Sequence, residues 1–463
     1  MTSRRLVAAA GVLLLLIAAG AVALLYANRR EVTTSSGEAA RAYREALDNE
    51  RCFYVKEARL GYARALALDP AFAEAMLGLS RVISDDDQAK TLVRRAVREK
   101  GRLSERERLH VEMELARVEK RRDDVLKIAA QTRSRYPDDV RAAMMLCIAE
   151  IAKGNREAAV RIFTEVLEKD PNNPDAYNQI GYYYAFKGDT ERALEYLKKY
   201  QFMLPSSANP YDSLGEVLGN AGRYDEAIAN LNKALQLKPD FFESFRHLGL
   251  VYEGKGDALK AIEAYRKAAE LADSDGKRAD MLTSALRAAM VFKNRAAAEE
   301  AAAALARVPK GPYTEIGKEV IPIALDLTAG RPADAERRLT ELKPKWEALV
   351  SREPTLPGWK SDWPAWNMLM ARAKMAQGKD AEALPLLETL SNPPNPWRDF
   401  EGRRWVYEGR AHLAALLARR GDLDRAEKLL EENRKWNPSW APTRDAELVV
   451  AQLRREKVLA ATK

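Results

Sequence analysis

The chain has 463 residues, 47% of them hydrophobic and 31% charged, with 24 Gly and 21 Pro. It exceeds the ~100–200 residues of one compact domain, and this balance excludes a disordered, linker-like or collagen-like chain. Lys and Arg number 76 against 68 Asp and Glu, so the net charge of +8 is mild for the length.

The charges alternate in sign along most segments, as in residues 119–124. That pattern describes a solvated helical surface rather than a nucleic-acid groove, so no nucleic-acid partner is expected. Cys52 and Cys147 are the two cysteines, too few for a disulfide scaffold or a cysteine-built zinc domain. His110, His247 and His412 are the three histidines, which leaves little for a histidine metal cage.

Residues 1–35 form the first division of the chain. Leu6 to Tyr26 is 21 residues without a charge, with Arg4 and Arg5 before it and Arg29 and Arg30 after it. As a helix rising ~1.5 Å per residue it matches the ~30 Å hydrocarbon core of a bilayer. A cleaved signal peptide has an apolar core of ~7–15 residues and a small-x-small site, and Ala21-Val22-Ala23 offers such a site. The apolar run continues past Ala23 to Tyr26, which favours a retained transmembrane anchor over residues 6–26. A short arginine-bearing tail stays most simply in the cytoplasm. The expectation is a single-pass protein of the cytoplasmic (inner) membrane with its soluble array outside the cytoplasm. Secretion after cleavage and an array left in the cytoplasm are the alternatives.

Residues 36–310 form the second division, with the best copies of a repeat over 138–273. Pro171, Pro205 and Pro239 stand 34 residues apart. Six residues past each are Tyr177, Tyr211 and Phe245, and nine past are Ile180, Leu214 and Leu248. Gly181, Gly215 and Gly249 follow, then Gly188, Gly222 and Gly256, then Ala193, Ala227 and Ala261. The bulky and aliphatic residues share a face of a first helix, A, at i and i+3. The next Gly lets a second helix, B, approach closely. The later Gly ends helix A in a left-handed conformation, and the small Ala of helix B packs against helix A. Pro stops helix B.

Weaker copies flank these. Ala58, Tyr62, Ala65, Leu66 and Pro70 fit a helix B, as do Gly154, Ala159, Phe163 and Pro171. Ser104 and Glu107 have the spacing of a capping box. Residues 311–463 form the third division. Gly330/Ala335/Leu339, Gly378/Ala383/Leu387 and Gly421/Ala426/Leu430 repeat the spacing, and all eight Trp fall between Trp346 and Trp440. Residues 351–364, with three Pro and two Trp, interrupt the period and read as a joint. The Trp read as core packing in degenerate repeats, with an exposed aromatic patch as the alternative. About eleven units run from Gly37 to Pro438, followed by a polar terminal helix that caps the open end.

These positions resemble the tetratricopeptide repeat, a 34-residue helix–turn–helix unit. The resemblance implies an all-α fold: a right-handed superhelical solenoid of antiparallel helix pairs, here behind an N-terminal transmembrane helix. It also implies that the A helices line a concave groove for an extended peptide or a partner helix, with positions 2, 5, 6 and 9 of each repeat facing it. Those positions hold Asp175, Asn178, Gln179 and Tyr182, then Asn209, Asp212, Ser213 and Glu216, then Glu243, Arg246, His247 and Leu250. One subfamily clamps a C-terminal carboxylate with Lys, Asn and Arg at such positions. Asp212 and Glu216 would repel that ligand.

No catalytic, cofactor-binding or metal-binding residue emerges. There is no phosphate-binding loop, no His-Glu-x-x-His and no Gly-x-Ser-x-Gly elbow. Ser84–Asp87 and Asp273–Gly276 carry fragments of a calcium loop and read as helix caps. His247 reads as a lone groove histidine, and no pair of carboxylates stands out. The expected function is a non-enzymatic, membrane-anchored scaffold that binds protein or peptide partners in envelope complex assembly, as the chain resembles bacterial envelope tetratricopeptide proteins. Self-association is open. Leu103 to Ala234 also resembles repeat tails of bacterial kinases and transcription regulators, so a regulatory module acting with a separate effector is the alternative. An RNA-binding helical repeat is a third reading, against which the acids of the inner face argue.

Overall fold

The computed structural model describes residues 32–309, 312–352, 364–392 and 400–461. The apolar run over 6–26 lies outside these residues. No helix among the described residues is long and apolar enough to cross a membrane. The described chain is all-α, with 23 α-helices, one short 3-10 turn and no strand. The helices make an all-α repeat solenoid that ends on a terminal helix, Ala441–Ala461.

Local chemistry sets the helix ends. Pro174 opens helix Pro174–Lys187, and Asn173 caps it by accepting from the Ala176 amide. Gly188 ends it at φ 83°, and Asp189 caps the next helix, Thr190–Met203, through the Arg192 amide. An L-residue with a Cβ is disfavoured at such a φ. Ser104 and Glu107 form the reciprocal capping box at the start of Glu105–Val118.

Packing between paired helices depends on small residues. A Cβ at Gly181 would stand 2.7 Å from Leu197 Cγ, and one at Gly215 2.6 Å from Leu231 Cγ. A Cβ at Gly249 would overlap Tyr265. Ala193, Ala227 and Ala261 are fully buried opposite. Tyr177 and Tyr211 donate their hydroxyls to the carbonyls of Pro171 and Pro205, at 3.1 and 3.2 Å, tying each helix A to the loop before it. Phe245 has no hydroxyl, and packs half-buried against the core.

The described residues pack as two compact units, divided between Leu146 and Cys147. In the first, Tyr43, Tyr62 and Phe72 form an aromatic centre, with Ala58 and Ala65 fully buried around it. In the second, one buried cluster runs from Ala261 to Ala373 and crosses residue 310. The packing division therefore falls inside helix Val140–Ala152, and the core is continuous across the 310/311 boundary suggested by the sequence.

Candidate functional site

Over repeats 174–256, each helix A places positions 2, 5, 6 and 9 beside those of its neighbours. Asn178, Asn209, Asp212, Ser213 and His247 are buried, and Asp175, Gln179, Tyr182, Glu216, Glu243 and Arg246 are half-buried. The residues facing this side are mostly turned onto one another. Asp212 Oδ1 lies 3.0 Å from His247 Nδ1 and accepts from Ser244 Oγ at 2.7 Å. Glu216 Oε2 lies 3.4 Å from His247 Nε2 and accepts from the Tyr182 hydroxyl at 2.7 Å. Arg246 donates to Glu243 at 2.8 Å. Asn209 sits apart and donates to the Tyr200 hydroxyl at 2.8 Å.

His247 is therefore not a lone histidine. Burial alone would lower its pKa, but the charges of Asp212 and Glu216 outweigh burial and hold it up to about 10, against the opposing charge of Arg246. Burial likewise works against the Glu216 carboxylate, and His247 and Arg246 hold its pKa down to about 2. The ring thus sits between two carboxyl groups, and Arg246 Nη2 also stands 2.6 Å from its Nε2. A histidine held charged at this strength is a structural ion and a poor general base.

In the first unit, His110 also stands between two carboxyl groups. His110 Nδ1 lies 2.7 Å from Glu74 Oε1, and Nε2 lies 2.9 Å from Asp139 Oδ2. Arg141 reaches Glu74 at 3.1 Å and Arg106 reaches Asp139 at 2.7 Å. Burial would raise the Glu74 carboxyl; Arg141 and His110 outweigh it and hold it well below the usual carboxylate range. Glu74 and Asp139 lie 36 and 29 residues from His110, a spacing that no motif marks.

The Trp-rich repeats carry the residues that sequence reasoning missed. Among the described Trp, Trp440 is buried, and Trp366 packs half-buried with its indole N–H donating to the Leu339 carbonyl at 2.9 Å. Trp359, Trp363 and Trp397 lie outside the described residues. The chain around Trp436 and Trp440 packs on the ends of the A helices of repeats 174–256. Tyr224 donates its hydroxyl to Asn437 Oδ1 at 3.1 Å, and Asn437 Nδ2 donates to the Gly219 carbonyl at 3.4 Å. Arg444 donates to the Lys255 carbonyl at 3.1 Å. Behind this contact lies a cavity of about 60 Å³ lined by Glu216, His247, Leu250, Arg404, Trp436 and Trp440, among others. That is space for a few waters and too little for a peptide.

A deeper ion cluster adjoins it. Glu253 accepts from Arg287 Nη2 at 2.7 Å and from the Tyr265 hydroxyl at 2.9 Å. Arg404 stands 3.9 Å from the same carboxylate. Burial opposes the Glu253 charge, and Arg287 and Arg404 hold its pKa down to about 2. Among the described residues no group of three His, Cys, Asp or Glu has the arrangement to hold a metal ion.

A model described as TPR repeat matches residues 215–256, and two tetratricopeptide-repeat models match 162–195 and 243–275. No curated protein sequence matches the chain. Solved structures similar to it include the APC/C hetero-tetramer Cut9–Hcn1, at 15% identity over 88% of this chain and 75% of that chain, with a TM-score of 0.46. Pseudomonas aeruginosa pilF is similar at 20% identity over 47% of this chain and 92% of that one, with a TM-score of 0.35. MamA is similar at 30% identity over 33% and 88%, with a TM-score of 0.28. At these TM-scores the likenesses carry no argument about function. The family models and the 34-residue helix pairs agree over residues 162–195 and 215–275: the chain carries tetratricopeptide repeats.

Proposed function

We propose that this protein is a non-enzymatic scaffold that binds protein or peptide partners along the A-helix side of its repeats. The observation that carries the reading is the run of consecutive tetratricopeptide repeats, an architecture whose typical role is protein interaction. With Asp212, Glu216 and His247 engaged in holding neighbouring helices together, the partner-facing groups are the other half-buried ones: Asp175, Gln179, Tyr182, Glu243 and Arg246. Long, partly exposed polar side chains on a rigid helical array suit an extended segment with its own polar groups.

The same reading anchors the chain in the cytoplasmic membrane through residues 6–26 and puts the repeats outside the cytoplasm, where they serve assembly of an envelope complex. The uncharged stretch of 21 residues between arginine pairs supports this placement. A C-terminal alkaline phosphatase fusion tests the topology: activity in cells is expected, and an inactive, well-expressed fusion refutes it. For the binding role, affinity purification from native membranes compares the wild type with Gln179→Ala/Tyr182→Ala/Arg246→Ala. Loss of specific partners in the variant is expected, and identical partner lists reject this face.

A further inference from the structure

The turn glycines separate into two groups. Gly188, Gly222 and Gly256 end successive A helices at φ 83°, 78° and 91°. Each has the chain's own C-terminal repeats against the place a Cβ would take. Trp436 Cζ3 is 3.0 Å from that of Gly188, Asn437 Oδ1 2.6 Å from that of Gly222, and Ala441 Cβ 3.4 Å from that of Gly256. Gly254 adds Trp440 Cζ3 at 2.7 Å. At Gly154, Gly330, Gly378 and Gly421, glycines that also have positive φ, nothing stands within 4 Å. The six-residue segment 436–441 is thus fitted in register onto three consecutive repeats.

The fit is tight in shape and leaves two donors unpaired. The indole N–H of Trp440 is buried, at 7% exposure of the residue, without a partner. Arg404 Nε, in the same cavity wall, is buried without one too. Buried unpaired donors oppose the burial of the Trp rings. The two unpaired donors offset part of what the burial of the Trp rings contributes to holding the segment in place.

We propose that Trp436–Ala441 is an intramolecular latch that closes repeats 174–256, and that it must leave before a partner reaches the cavity wall at Leu250. This rests on the scaffold reading only for what the opened face then binds. Opening breaks the Tyr224–Asn437 and Asn437–Gly219 hydrogen bonds, frees the Trp440 and Arg404 donors to meet water, and leaves the helix pairs of the repeats intact.

The test is thiol labelling of the full chain carrying Leu250→Cys, with maleimide and site-resolved mass spectrometry. The native thiols give an internal control: both are buried, and burial pushes Cys147 up to about 11. The label rate at position 250 is compared between this parent and versions with Asn437→Ala or Trp440→Ala added. A rise of about tenfold or more at 250, with Cys147 still slow and melting unchanged, is the expected result. An equal rate in all three proteins overturns the latch. So does a rise that comes with fast labelling of Cys147, because the segment is then a permanent part of the core. No partner is needed for this measurement, so failure of the latch and failure of the scaffold reading appear in different experiments.

Discussion

His247 and Asp212 lie 35 residues apart and meet at 3.0 Å, Nδ1 to Oδ1, joining position 6 of one helix A to position 5 of the preceding one. The pair is buried, so each group depends on the other for its lost hydration. Asp212→Asn keeps the shape and removes the charge. It is expected to cost about 1.5–3 kcal/mol, the usual worth of a hydrogen bond to a charged group. Urea denaturation of the wild type and variant measures the difference, and equal midpoints would contradict the pairing.

The same triad makes stability depend on pH. His247 has a folded pKa of about 10 against about 6.5 in an unfolded chain. A raised pKa contributes stability that is complete below the unfolded value and disappears as pH rises through the folded one. The window is therefore about pH 6.5 to 10. Wild-type melting should fall between pH 6.5 and pH 9.5 more steeply than that of His247→Gln, measured in the same buffers. Parallel pH profiles would count against a charged His247.

Gly215 tests the close approach of helices A and B. The site is open to no side chain, since a Cβ would lie 2.6 Å from Leu231 Cγ. Gly215→Ala should destabilise by about 1–3 kcal/mol through overpacking. Gly276→Ala, with nothing within 4 Å of its Cβ position, is the control. It should be neutral or slightly stabilising, because Ala favours the helix. Thermal melts of both variants decide the matter, and a neutral Gly215→Ala would show that the two helices stand farther apart.

Glu74 holds the ion cluster of the first unit through His110 and Arg141. Glu74→Ala leaves the largely buried Arg141 without its carboxylate, at a cost of about 3–5 kcal/mol. Hydrogen exchange should show the loss in helices Ala73–Val82 and Glu105–Val118. Unchanged protection there would mean that the cluster contributes little.

The repeat was legible because each signature position obeys a constraint inside one helix pair. Gly181, Gly215 and Gly249 face their own helix B, Gly188 must turn left-handed, and Pro205 must stop a helix. The buried ion clusters were not legible, because they join different repeats. The partners of His247 stand 35 and 31 residues upstream, close to one period, so a comparison of neighbouring repeats would have exposed them. His110 gave less warning: Glu74 and Asp139 come from copies in which the spacing is degraded. The placement of Trp436, Asn437 and Trp440 on repeats 174–256 spans more than 180 residues and leaves no periodic trace in the sequence. What the indole rings cover is set by packing alone.

Site-directed photocrosslinking along one repeat tests the central claim most directly. A crosslinking residue is placed in turn at Asp175 and Gln179, on the A-helix side, and at Glu191 and Glu195 of the paired helix B, in cells that make the protein at its natural level. The account predicts that discrete protein adducts form from positions 175 and 179 and are absent from 191 and 195. Adducts of equal yield from both helices, or adducts confined to helix B, would contradict it.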